Sequence, residues 1–123
     1  MVQTDVSQLT AECSDWRQVL RNHRETLNQS KKNLEALCRT QLSKDQLQNV
    51  EHFHNQFHIQ LINIHDLKQA IKAHERRLQF ENQENITEET LAEHEALYEQ
   101  FTNMETTLQD VNSEFQNFSR NIH

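Results

Sequence analysis

An all-α fold, an antiparallel up-down-up three-helix bundle, is what this sequence predicts, on three observations. The 123-residue chain contains no glycine and no proline, so the residues that punctuate turns, bulges and phosphate-binding loops are missing, and helices with short connections remain. Apolar residues recur at alternating spacings of three and four over long stretches, which is the heptad stripe of a packed helix. The stripe slips register twice, and each slip carries the chemistry of a helix start. The predicted helices span about 5–39, 44–82 and 88–122 in a single domain, residues 1–123.

The first helix carries Val6, Leu9, Cys13, Trp16, Leu20, His23, Leu27, Ser30, Leu34 and Leu37 on one stripe. Continued past residue 41, the same phase would place Lys44, Gln48 and Glu51 in the apolar seam, so the helix ends there. Ser43 and Gln46 form a capping box, Leu42 and Leu47 occupy the positions of a hydrophobic staple, and the second helix starts at about Lys44. Its stripe reads Leu47, Val50, His54, Phe57, Leu61, Ile64, Lys68, Ile71, Glu75 and Leu78, with Phe53 alongside. At the second break Thr87 is the N-cap, Glu88 and Glu89 face the positive helix end, and Ile86 and Leu91 form a second staple. Asn82 and Asn85 stand where glycine is missing and tolerate left-handed conformations. The third helix carries His94, Leu97, Phe101, Met104, Leu108, Val111, Phe115, Phe118 and Ile122, flanked by Leu91 and Tyr98.

Helices of this length with short connections form a closed bundle about 50 Å long, or a helical hairpin that completes its core by dimerising. Charge supports the closed form. Residues 83–123 hold one basic and nine acidic residues, whereas the rest of the chain is nearly balanced. An antiparallel third helix brings Glu93, Glu95 and Glu99 level with Lys72, Arg76 and Arg77. Exposed pairs of this kind contribute only about 0.2–1 kcal/mol each, so they select the neighbour and its direction rather than hold the fold together.

Three heptad helices of similar length, with Trp16 inside the first stripe in "CSDWRQVL", resemble a spectrin-type repeat. The resemblance implies that the tryptophan packs between the other two helices; by helix height it falls level with Leu67 on the second helix and with Asn103 and Met104 on the third. It departs from the family where a second tryptophan is usual on the third helix, since only Tyr98 and Phe101 are aromatic nearby. A scaffold or spacer module is what the resemblance implies.

Composition excludes several function classes. Without glycine no Rossmann fingerprint, P-loop or nucleophile elbow exists, and no loop is long enough to build a pocket, so no enzyme is expected. A formal net charge of −7 and scattered basic residues speak against nucleic acid as a partner. No apolar run reaches the length of a membrane span, and "MVQTDVSQLT" is neither basic nor apolar, so a cytoplasmic, soluble chain is expected. Cys13 and Cys38 lie about 37 Å apart on one straight helix, and Cys13 reads as a buried reduced thiol.

The stretch "VEHFHNQFHIQLINIH", residues 50–65, holds four of the eight histidines. On the heptad His54 falls in the seam, His58 and His65 flank it, and His52 faces away. His23, His54 and His58 are the candidate ligands of a mid-bundle polar layer able to take a metal ion or respond to pH. Ile59 and Ile62 lie one turn apart on the face of the second helix opposite the seam, where a monomer would carry polar residues, and mark a candidate protein-interaction surface. The expected function is a non-enzymatic helical interaction or scaffold module that contacts a protein partner or a second copy and needs no cofactor. The alternative is a small metal- or pH-responsive bundle.

Overall fold

The computed structural model describes residues 5–81 and 86–122, and three helices account for nearly all of them: α1 (Val6–Leu37), α2 (Lys44–Phe80) and α3 (Glu88–Ile122). Each packs against both others, α1 and α3 less closely on one another than either does on α2. The residues that meet place the N-terminal parts of α1 and α3 beside the C-terminal part of α2, which is the up-down-up arrangement. Among the described residues no helix is long and apolar enough to cross a membrane.

Side chains of the polar, cap-forming type start each helix in place of glycine-based turns. Asp5 accepts from the Gln8 amide at 2.8 Å. Ser43 and Gln46 form the full capping box, with the Gln46 amide 3.1 Å from Ser43 Oγ and the Ser43 amide 2.8 Å from Gln46 Oε1. Thr87 accepts from the Thr90 amide at 3.2 Å, and the Thr87 and Thr90 hydroxyls both donate to the Glu81 carboxylate, tying the end of α2 to the start of α3. α1 ends at Leu37, two residues before its predicted end, because the Thr40 hydroxyl donates to the Leu37 carbonyl at 2.7 Å and holds the chain in a turn. The predicted end of the second helix and the roles of Asn82 and Asn85 lie outside the described residues.

The first stripe is buried at every position except His23, which is half-buried. The third is buried from His94 to Phe115 apart from half-buried Met104, and Phe118 and Ile122 pack against its edge. The second stripe needs correction. Val50, Phe53, Phe57, Ile64, Ile71 and Leu78 are buried as expected and Leu61 is half-buried against the core, but the row beside them is completed by Gln60, Leu67 and His74, not by Leu47, His54, Lys68 and Glu75. The heptad phase is right and the side of the helix that faces the core is shifted by one residue.

The two ends of the bundle differ in chemistry. At one end Phe57 and Phe115 pack edge to face with centroids 5.1 Å apart, and Phe53 lies 5.4 Å from Phe115 and 5.3 Å from Phe118. This geometry suits aromatic quadrupoles and makes a dry apolar cluster. The opposite end is polar inside.

Candidate functional site

At the polar end each helix contributes one buried group with a lone pair: Cys13 from α1, His74 from α2 and His94 from α3. Cys13 and His74 are fully buried, and His94 is 5% exposed. The Cys13 thiol lies 3.9 Å from His94 Nδ1, His74 Nε2 lies 3.0 Å from the same Nδ1, and the three potential ligand atoms fall within 4.8 Å of one another. The outer nitrogen of each ring meets a carboxylate: His74 Nδ1 is 2.8 Å from Glu93 Oε1, and His94 Nε2 is 2.5 Å from Glu12 Oε2. Arg77 pairs with the other oxygen of Glu93.

The surroundings complete the cluster. Trp16 covers His94 with its ring 4.7 Å away, and lies 6.0 Å from both Tyr98 and Phe101. Arg17 of α1 holds Glu75 of α2 through two bonds, 2.5 and 3.1 Å long. Among the described residues every buried side-chain nitrogen and oxygen lies within hydrogen-bond distance of a partner, the two facing imidazole nitrogens being each other's. A surface cleft lined by Leu9, Glu12, Trp16, Leu91, His94 and Tyr98 opens onto the α3 side of the cluster.

The Cys13 thiol is pushed up to about 12, first by burial and then by the negative charges of Glu75 and Glu12. It therefore holds its proton at neutral pH and is a poor nucleophile, because the thiolate is the reactive form. Cys38 is exposed. At pH 8 an aromatic disulfide reagent is expected to label one thiol per native chain, Cys38, and to reach Cys13 only in denaturant. Two rapidly labelled thiols would contradict the burial of Cys13.

The histidines predicted from sequence lie elsewhere. His54 is exposed rather than in the seam, because α2 turns the neighbouring Phe53 inward. His58 and His65 are exposed as well. His23 lies 3.3 Å from Glu105 across α1 and α3, beside a cleft of which His54 is no part; His54 borders a different one, between the end of α1 and the start of α2. The structure thus shows no layer joining His23, His54 and His58. Ile59 and Ile62 are on the surface, 45% and 47% exposed.

Trp16 packs against His94, Tyr98 and Phe101, a set centred on Tyr98, five residues before the predicted level at Asn103. The Arg17–Glu75 pair shows a larger offset on α2, where Glu75 lies eight residues beyond Leu67. The correct level follows from the parallel course of α1 and α3: Trp16 and Tyr98 stand equally far from the first residues of their helices. Cys13 and His94 were both in the predicted seams. His74 was missed, and the signal that would have found it is the pair of charged residues, Lys68 and Glu75, in the predicted seam of the second helix.

The Lys68 ammonium is pushed below its usual range by burial and then by the positive charges of Lys72, Arg21, Arg24 and Arg17. No family model, curated protein or solved structure matches the chain.

Proposed function

We propose that this chain is a non-enzymatic helical interaction module that docks a partner protein or a second copy of itself. The observation that carries the reading is the outward placement of Ile59 and Ile62. The apolar stripes of all three helices are already engaged in the core, yet these two side chains remain about half exposed on α2. Helical spacing puts Asn55, Asp66 and Gln69 on the same face, one or two turns away. An apolar centre with a polar rim is the usual organisation of a helix-docking surface.

The uneven charge supports the same reading, because the acidic α3, beside a nearly balanced α1 and α2, biases the direction of approach of a charged partner. The inert state of Cys13 argues against nucleophilic chemistry at the polar end. A spacer or scaffold role, of the kind implied by the spectrin-type resemblance, belongs to this proposal.

The double substitution Ile59→Asp, Ile62→Asp is expected to leave the helical circular dichroism unchanged, since both sites are exposed. It is expected to reduce the mass in solution from two chains to one, or to remove a partner that cross-links to α2. A variant that keeps both the mass and the cross-links of the parent contradicts the proposed surface. The metal- or pH-responsive alternative finds its support at a different place from the predicted histidine layer, in the buried cluster of Cys13, His74 and His94.

A further inference from the structure

We propose that Cys13, His74 and His94 are the protein ligands of a zinc(II) site that joins the three helices at the polar end of the bundle. Three features of the cluster point to a cation there. The first is spacing. A tetrahedral zinc ion with bonds of about 2.0–2.1 Å to nitrogen and about 2.3 Å to sulfur holds its ligand atoms roughly 3.3–3.6 Å apart. The present separations, 3.0 Å between the two imidazole nitrogens and 3.9 Å between thiol and imidazole, lie on either side of that value. The thiol and His74 Nε2 lie within 4.8 Å, so at most about 1 Å of closure brings the three atoms onto one ion.

The second feature is the pair of carboxylates behind the rings. Each imidazole that faces the cluster has its other nitrogen on a glutamate, His74 on Glu93 and His94 on Glu12. This carboxylate–histidine pairing fixes the tautomer and raises the basicity of a ligating ring, and it is a recurrent support of histidine metal ligands. It is present here for both histidines, with opposite ring nitrogens turned inward.

The third feature follows from the second. Glu93 places a proton on His74 Nδ1 and Glu12 places one on His94 Nε2, which leaves the lone pairs of His74 Nε2 and His94 Nδ1 facing one another across 3.0 Å in a buried site. Two opposed lone pairs repel unless a positive centre lies between them. A proton fits between them at 3.0 Å, whereas a divalent ion sits off the line joining them once they part to about 3.3 Å, and the thiol beside them favours the ion: a borderline-soft metal takes sulfur and imidazole together. The charges of Glu12, Glu75 and Glu93 around the cluster are only partly matched by Arg17 and Arg77, so a dication meets a net negative environment.

Binding forms one zinc–sulfur and two zinc–nitrogen bonds, and the thiol proton leaves to the buffer. The cleft beside Glu12, Trp16 and Tyr98 supplies a route to His94 from solvent. Three protein ligands leave the fourth position of a tetrahedral ion for water. This proposal is independent of the interaction surface on α2.

The test is titration of the chelator-stripped full chain with zinc, followed by calorimetry and thermal unfolding, and with cobalt(II) as a spectroscopic probe. One zinc per chain is expected, with release of at least one proton and a rise in Tm of about 5–10 °C at a hundredfold excess over Kd. Cobalt is expected to give tetrahedral visible bands and a thiolate charge-transfer band. Cys13→Ser should remove the charge-transfer band and His74→Gln should weaken zinc binding at least tenfold, whereas Cys38→Ser and the pair His54→Ala, His58→Ala should change neither. Zinc binding lost only in the His54, His58 variant would assign the ion to the exposed histidines and overturn the proposal. A folded parent chain that binds neither metal would overturn it also, leaving a proton between the rings.

Discussion

Phe57→Ala is expected to destabilise the bundle by about 3–5 kcal/mol, the range for removing a buried aromatic ring from a packed core. Phe57 is 1% exposed and meets Phe115 edge to face, with Phe53 beside both. Removal of the ring leaves a void bordered by Phe53 and Phe115 on one side and by the cleft beside His23 and Glu105 on the other. Phe57→Leu retains most of the volume and should lose clearly less. Urea unfolding followed by circular dichroism checks both, the loss appearing as a lower midpoint with little change in slope. Equal midpoints for Phe57→Ala and the parent chain would mean that the ring is not in the core.

The second large effect is expected at the other end. Glu93→Ala removes the acceptor from His74 Nδ1, and His74 is fully buried with no second partner for that nitrogen among the described residues. An orphaned buried donor costs about 1–3 kcal/mol, or roughly 3–10 °C in Tm for a domain of this size. Loss of the Arg77 pairing adds little, because Arg77 is largely exposed. Glu93→Gln keeps an acceptor oxygen and should retain most of the stability. Thermal unfolding of the two variants separates the hydrogen bond from the charge. An alanine variant as stable as the glutamine variant would show that His74 Nδ1 does not depend on this carboxylate.

Much of the fold was legible because the chain has few ways to stop a helix. With glycine and proline absent, the starts of α2 and α3 had to be written in side-chain chemistry, and Ser43, Gln46 and Thr87 spell them out. The stripes of α1 and α3 were equally plain, since each has one apolar side. α2 is different. Apolar residues flank its central row on both sides, Leu47 and Leu61 on one and Phe53 and Leu67 on the other, and the period alone does not say which side turns inward. Burial decides it, because Lys68 and Glu75 on the first side are harder to place in a core than Leu67 and a hydrogen-bonded His74 on the second.

That single ambiguity hid the polar cluster. The candidate layer of His23, His54 and His58 rested on His54 being inward, and the one-residue shift of α2 removes His54 and brings in His74. The attraction of four histidines in "VEHFHNQFHIQLINIH" lay in their density, whereas the cluster that forms uses one titratable group from each helix, far apart in sequence. The outward face of Ile59 and Ile62 was legible because it lies opposite the central row, where either choice of side leaves it exposed.

The convergence of Cys13, His74 and His94 at one end of the bundle is tested most directly by nitrogen-detected NMR of the histidine rings in the full chain. Ring protons protected from exchange are predicted at His74 Nδ1 and at His94 Nε2, the two nitrogens held by Glu93 and Glu12, with a through-space contact between the His94 and Trp16 rings. Exposed His52, His54, His58 and His65 serve as the unprotected reference within the same spectrum. Ring protons of His74 and His94 that exchange as fast as those of the exposed histidines would contradict the cluster, and with it the meeting of the three helices described above.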